Sequence, residues 1–109
     1  MANRISYTPI FEKYFKRYTK KFRSLEADLL NLEAQLLHNP DLGVHLGDNL
    51  YKIRLAVKSK GKGKRGGFRV ITYLLNTYSD GTEITLLIIY DKSEIDDISK
   101  DDLMRIVKT

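Results

Sequence analysis

Two arginines set in a dense run of cations are the groups of this chain best suited to holding a phosphate. Arg54 and Arg69 lie within YKIRLAVKSKGKGKRGGFRVITY (residues 51–73), where Lys52, Lys58, Lys60, Lys62, Lys64 and Arg65 are also basic and no acid intervenes. Eight cations in eighteen residues repel one another, and a polyanion such as a nucleic-acid backbone is the natural compensation. A planar guanidinium grips two phosphate oxygens at once. Further along, Tyr90, Lys92 and Glu94 alternate past an apolar run. Arg, Lys, Tyr and Glu gathered at one end of a sheet suit metal-free RNA cleavage. The ribose 2′-OH attacks the adjacent phosphate and arginines stabilise the added negative charge. Other groups remove the 2′ proton and protonate the leaving 5′ oxygen. Arg69 has a second reading, as an anchor for a carboxylate such as Asp91 or Glu94.

Other chemistries fit less well. GKGKRGG (61–67) is glycine- and lysine-rich like a phosphate loop, but Phe68 and a strand pattern follow it instead of Lys-Ser/Thr and a helix. A clamp on a nucleic-acid backbone fits better: glycines permit close approach, and Lys60, Lys62 and Lys64 supply point charges, with Arg65 at the border between clamp and site. His38 and His45 show no ligand spacing, and the acids from Asp91 to Asp102 read as a solvated approach to a helix. No metal or cofactor is therefore expected.

These groups need a scaffold, and the apolar pattern supplies one. Ile5–Tyr7 opens a short strand, and Thr8-Pro9 reads as an N-cap followed by proline at the first helical position. Phe11, Tyr14, Phe15, Tyr18 and Phe22 make an aromatic stripe opposite Lys13, Lys16, Arg17, Lys20 and Lys21. A second helix from about Ser24 to Leu37 carries Leu25, Leu29, Leu32 and Leu36, widened by Leu30 and Leu37, about one residue after the first. Residues 43–49 read as loop. Tyr51, Ile53, Leu55 and Val57 then alternate with Lys52, Arg54, Ala56 and Lys58 as a half-buried strand. Phe68–Leu75 forms the next strand, Asp80-Gly81 a hairpin turn, and EITLLIIY (83–90) the central strand. Ser99 with Asp102 resembles a capping box opening a last helix through Leu103, Ile106 and Val107. The order βααβββα predicts an α+β fold: a helical hairpin on a small, mainly antiparallel twisted sheet, with a short C-terminal helix.

Size and charge bound the answer. The 109 residues suit one domain spanning 1–109. There are no cysteines, which excludes disulfides and thiolate chemistry and suits a reducing cytoplasm. No apolar stretch reaches the roughly 20 residues of a membrane span, and MANRISYTPIF does not read as a secretory leader. The net charge of +5 is segregated: residues 1–23 hold seven cations and one acid, residues 24–48 hold five acids and no Lys or Arg. A basic and an acidic face on one small body follow.

The segments YKIRLAVKSKGKGKRGGFRVITY and LLIIYDKSEIDDIS together resemble the RelE/ParE superfamily of type II toxin–antitoxin toxins, in particular its RelE and HigB-like branch. The resemblance spans the chain and is most specific at residues 63–71 and 90–97. It implies a RelE-like fold and a cytoplasmic, ribosome-dependent mRNA endoribonuclease that inhibits translation, with an antitoxin protein and mRNA on the ribosome as partners. The family's RNA-contacting strand positions match Lys52 and Arg54, its phosphate-stabilising arginine matches Arg69, and its lysine after the last strand matches Lys92. Two family positions differ, falling on Ser93 and about Ser99, so the resemblance leaves the general base to Tyr90 or Glu94. A ParE-like gyrase inhibitor and an inactive module that binds RNA or antitoxin are the alternatives.

Overall fold

The computed structural model describes residues 3–60, 67–78 and 81–109. Its elements run β1 (Arg4–Tyr7), α1 (Pro9–Thr19), α2 (Leu25–His38), β2 (Val44–Gly47), β3 (Leu50–Leu55), a 3₁₀ turn (Lys58–Lys60), β4 (Phe68–Tyr78), β5 (Gly81–Asp91) and α3 (Lys100–Val107). The sheet order is β1-β5-β4-β3-β2, antiparallel except for the parallel pair β1–β5. This is the expected α+β architecture, with β2 added. Among the described residues no helix is long and apolar enough to cross a membrane.

Local chemistry explains the boundaries. Thr8 Oγ1 accepts the Phe11 N–H at 3.0 Å and donates to the Leu87 carbonyl at 2.7 Å, so the cap that starts α1 also fastens it to β5. Ser99 Oγ accepts the Asp102 N–H at 3.1 Å, the first half of the capping box. Helix α1 stops at Thr19, earlier than the aromatic spacing predicts, because the Tyr18 carbonyl accepts from both Lys21 and Phe22 and closes a turn. The connection to α2 is therefore five residues, Lys20 to Ser24, rather than about one. Phe22 still reaches the core, edge-on to Phe68 with centroids 5.2 Å apart.

Two cores flank the sheet. The helical hairpin contributes Phe11, Tyr18, Leu25, Leu29, Leu32 and Leu36 to one, against Ile53, Leu55, Phe68, Val70, Ile84, Leu86 and Ile89. Leu103 of α3 covers Leu50, Ile71, Leu87, Ile88 and Tyr90 on the other face. Leu30 and Leu37 are not part of either core but exposed, so the α2 stripe is narrower than its leucines suggest. The run at 83–90 is interior, between β1 and β4, while the middle position belongs to β4.

Residues 44–47, read as loop, form the edge strand β2. Gly43 and Gly47 take φ of +102° and +94°, and Asp48 and Asn49 also lie in the left-handed region. Four such residues around a four-residue strand look like loop in a sequence. Strand β3 ends at Leu55 instead of continuing to Lys58. The chain turns away there because Asp28 of α2 accepts the Lys58 N–H at 3.1 Å and the Ser24 hydroxyl at 2.7 Å. Ser24 Oγ accepts the Ser59 N–H at 2.8 Å as well.

Candidate active site

Strand register places the arginines. Arg54 of β3 lies directly opposite Arg69 of β4, and Arg69 directly opposite Tyr90 of β5. Directly opposed residues share a sheet face with Cβ atoms about 5 Å apart, so these three form one row across three strands. Lys52 shares that face by alternation from Arg54, and Lys92 follows Tyr90 just past the end of β5. Like charges directly opposite are unfavourable in a sheet. The pair Arg54–Arg69 is therefore a site of stored positive potential.

Tyr90 joins the row because of a bulge. Between Ile71↔Ile88 and Thr72↔Leu86 the register shifts and leaves Leu87 without an opposite residue. Leu87 and Ile88 consequently both face α3, whereas Ile84, Leu86 and Ile89 face the helical hairpin. Strict alternation from Leu86 would turn Tyr90 toward the hairpin. With the bulge it turns toward Arg69.

The row lines a groove of about 950 Å³ that also includes Lys52, Lys58, Lys92 and Asp96. Arg54 is exposed, and among the described residues it has no ion-pair or hydrogen-bond partner. Arg69 is only 6% exposed, and its Nη1 donates to the Phe68 carbonyl at 3.3 Å. One guanidinium is thus free to turn and the other is held. Tyr90 is 1% exposed. Burial raises its phenol pKa, and Asp97 and Asp96 raise it further against the opposing pull of Arg69. A phenol so placed keeps its proton at neutral pH and suits a proton donor better than a base.

The acidic segment after β5 is not merely solvated. Lys92 Nζ donates to Asp96 Oδ1 at 2.6 Å and to the Asp96 carbonyl at 2.7 Å, and Lys52 Nζ donates to Asp97 Oδ1 at 3.1 Å. The Lys52 hydrogen bond holds the Asp97 carboxyl below its usual range. Asp96 and Asp97 thus occupy two of the site cations. The i,i+4 spacing of Lys92 and Asp96 was the only sequence trace of this contact.

Two residues expected at the site stand elsewhere. Lys60 is inside the fold rather than on a clamp: its Nζ pairs with Asp91, lies 3.3 Å from Ser93 Oγ, and sits over the Phe22 and Phe68 rings at 5.8 and 5.4 Å. The carboxylate anchor considered for Arg69 is thus supplied by Lys60. Burial pushes the Asp91 carboxyl up, but hydrogen bonds from Lys60 and Ser93 outweigh it and leave the pKa below its ordinary value. Glu94 accepts from the Tyr18 hydroxyl at 2.8 Å and from Arg17 at 3.2 Å, and is therefore tied to α1. The structure does not bring it to the Arg54–Arg69–Tyr90 row. Lys58 lines the groove from the 3₁₀ turn rather than from a strand face. Lys62, Lys64 and Arg65 lie outside the described residues, as does Asp80 of the expected hairpin turn. Among the described residues no group of three or more His, Cys, Asp or Glu is placed to hold a metal ion.

The family model described as "RelE toxin of RelE / RelB toxin-antitoxin system" matches residues 9–109, nearly the whole chain.

Proposed function

The chain belongs to the RelE toxin family, and from that premise we propose that it is a ribosome-dependent mRNA endoribonuclease that cleaves without a metal and so inhibits translation. The observation that carries this reading is the facing pair Arg54–Arg69 with Tyr90 next in the same row. A phosphodiester laid over the pair relieves the repulsion between the guanidiniums. As the 2′ oxygen adds to phosphorus, the extra negative charge develops beside them, where fixed donors are worth most. The 2′ proton leaves to solvent water, the bond to the 5′ oxygen breaks to leave a 2′,3′-cyclic phosphate, and the Tyr90 hydroxyl protonates the departing oxygen and regains its proton from solvent. Lys92 and Lys52 neutralise neighbouring phosphates once the RNA displaces Asp96 and Asp97. Those contacts give way readily, since surface ion pairs are worth about 0–1 kcal/mol.

Exposed Lys13, Lys16, Lys20 and Lys21 along and just past α1 support a large structured polyanion such as the ribosome as the working surface. The antitoxin expected of a toxin in such a pair is the second partner. The test is expression in bacteria with primer extension of translated transcripts. Wild-type protein is expected to create new RNA ends, and Arg69→Ala to reduce them by about 10²–10³-fold. Equal ends and equal growth for both would remove the catalytic reading, and inhibition of gyrase supercoiling without mRNA cleavage would replace it with that of a gyrase poison.

A further inference from the structure

The groove does not end at the arginines. It crosses the edge of β3 and continues to α2, where Asn31, Gln35, Leu32 and Leu42 line it. The crossing is open because β2 pairs only with Leu50, Tyr51 and Lys52, so that among the described residues no strand lies beside the outer edge of β3 from Ile53 to Leu55. Gly43 brings the chain against β3 at that point. A Cβ there would lie 2.5 Å from the Lys52 carbonyl oxygen, so any side chain would push the wall outward.

Asn31 and Gln35 are one helical turn apart and exposed, and their carboxamides have no hydrogen-bond partner among the described residues. Among the described residues the charged groups nearest this end are Asp28, already occupied by Ser24 and the Lys58 N–H, and Lys58 itself, which lines the groove from the 3₁₀ turn. Two carboxamides carry no charge of their own to offset a phosphate, and they stand beside the apolar Leu32 and Leu42. They suit a neutral, flat, hydrogen-bonding group. A carboxamide offers a donor and an acceptor in one plane, which matches an adenine edge in a bidentate pair. Single-stranded RNA presents such edges when its bases are unstacked.

We propose that Asn31 and Gln35 read the nucleobase adjoining the phosphate held by Arg54 and Arg69, and that they favour adenine. This rests on the reading of the arginine row as an RNA site. It assigns base preference to α2, on the far side of the β3 edge from the cleavage chemistry.

The experiment has two arms. In the first, RNA ends made in a translating extract are mapped for wild type and for Asn31→Ala/Gln35→Ala. Wild-type ends are expected next to adenine, and the ratio of adenine- to uracil-flanked ends should fall about tenfold in the double variant. Asn31→Asp/Gln35→Glu, which can only accept, should move the preference toward guanine, whose N1–H and N2 amino group set two donors side by side where adenine pairs one donor with one acceptor. In the second arm, the purified chain is titrated with oligo(A), oligo(U) and oligo(C), without cleavage. Wild type should bind oligo(A) tightest and Asn31→Ala/Gln35→Ala should bind all three alike, with an unchanged thermal midpoint. Identical base profiles for wild type and variants in both arms overturn the proposal. Absence of cleavage with oligo(A) preference intact overturns the endonuclease reading alone.

Discussion

At the scale of single residues, Arg69 and Tyr90 differ from Lys52, Arg54 and Lys92 in being buried, at 6% and 1% exposure. Burial orders a guanidinium before substrate arrives and holds a phenol in its neutral form. Tyr90→Phe removes the proton donor while keeping the ring in its core, so cleavage should fall about 10²–10⁴-fold with little loss of stability. The sign of the pH dependence follows from the raised phenol pKa. The donor is competent throughout the neutral range and lost only as pH rises past the ordinary tyrosine value. Single-turnover rates on the ribosome should show that alkaline limb in the wild type and lack it in Tyr90→Phe. A Phe variant as fast as the wild type would take Tyr90 out of the chemistry. Tyrosine at 90 was legible as a candidate because its residue type can carry a proton. Its partner and protonation state were not, because both depend on which sheet face it occupies.

At the scale of elements, the Lys60–Asp91 pair ties the 3₁₀ turn after β3 to the end of β5, flanking the start of β4. Its side chains are 9% and 3% exposed, unlike Asp96 at 98% and Asp97 at 65%. Removing one partner of a buried pair leaves the other charge uncompensated, at a cost of about 3–5 kcal/mol. Lys60→Met should therefore lower the denaturant midpoint sharply, and Lys60→Met/Asp91→Leu should recover much of it. A midpoint unmoved by Lys60→Met would mean that the pair is solvated. The folded-state pKa of Asp91 lies below its reference value of 3.8. The stability it contributes is thus present above that value and lost as pH falls through the folded pKa. Urea unfolding of the wild type at acidic pH should show this loss, and Asp91→Asn should flatten it. Lysine spacing alone put Lys60 on a clamp. Nothing local distinguishes a lysine that enters the core from its neighbours, since the aromatic rings that receive it, Phe22 and Phe68, are 38 and 8 residues away.

At the scale of the whole molecule, segregated charge becomes a self-masked site. The acids following β5 fold back on Lys52 and Lys92, so the cationic groove is partly neutralised by its own chain until a polyanion competes. Asp96→Asn/Asp97→Asn should tighten binding of single-stranded RNA and steepen its salt dependence, because two more lysines become available to release counterions. Fluorescence anisotropy between low and physiological salt measures both. Unchanged affinity and slope would mean that the lysines do not meet the RNA.

The residue order alone determined the helical hairpin, the capping residues Thr8 and Ser99, the strands around the arginines and the concentration of cations between Lys52 and Arg69. Each of these follows from short-range physics: apolar periodicity, side-chain capping and charge density act between residues close in sequence. Only the tertiary structure decided which cations meet. LLII (86–89) is apolar at every position and so has no period from which a facing can be read. The bulge at Leu87, set by pairing with β4, turned Tyr90 to Arg69, and packing against Tyr18 and Phe22 drew Glu94 and Lys60 away from the site. Facing and partnership are long-range properties, fixed by register between strands rather than by any one of them.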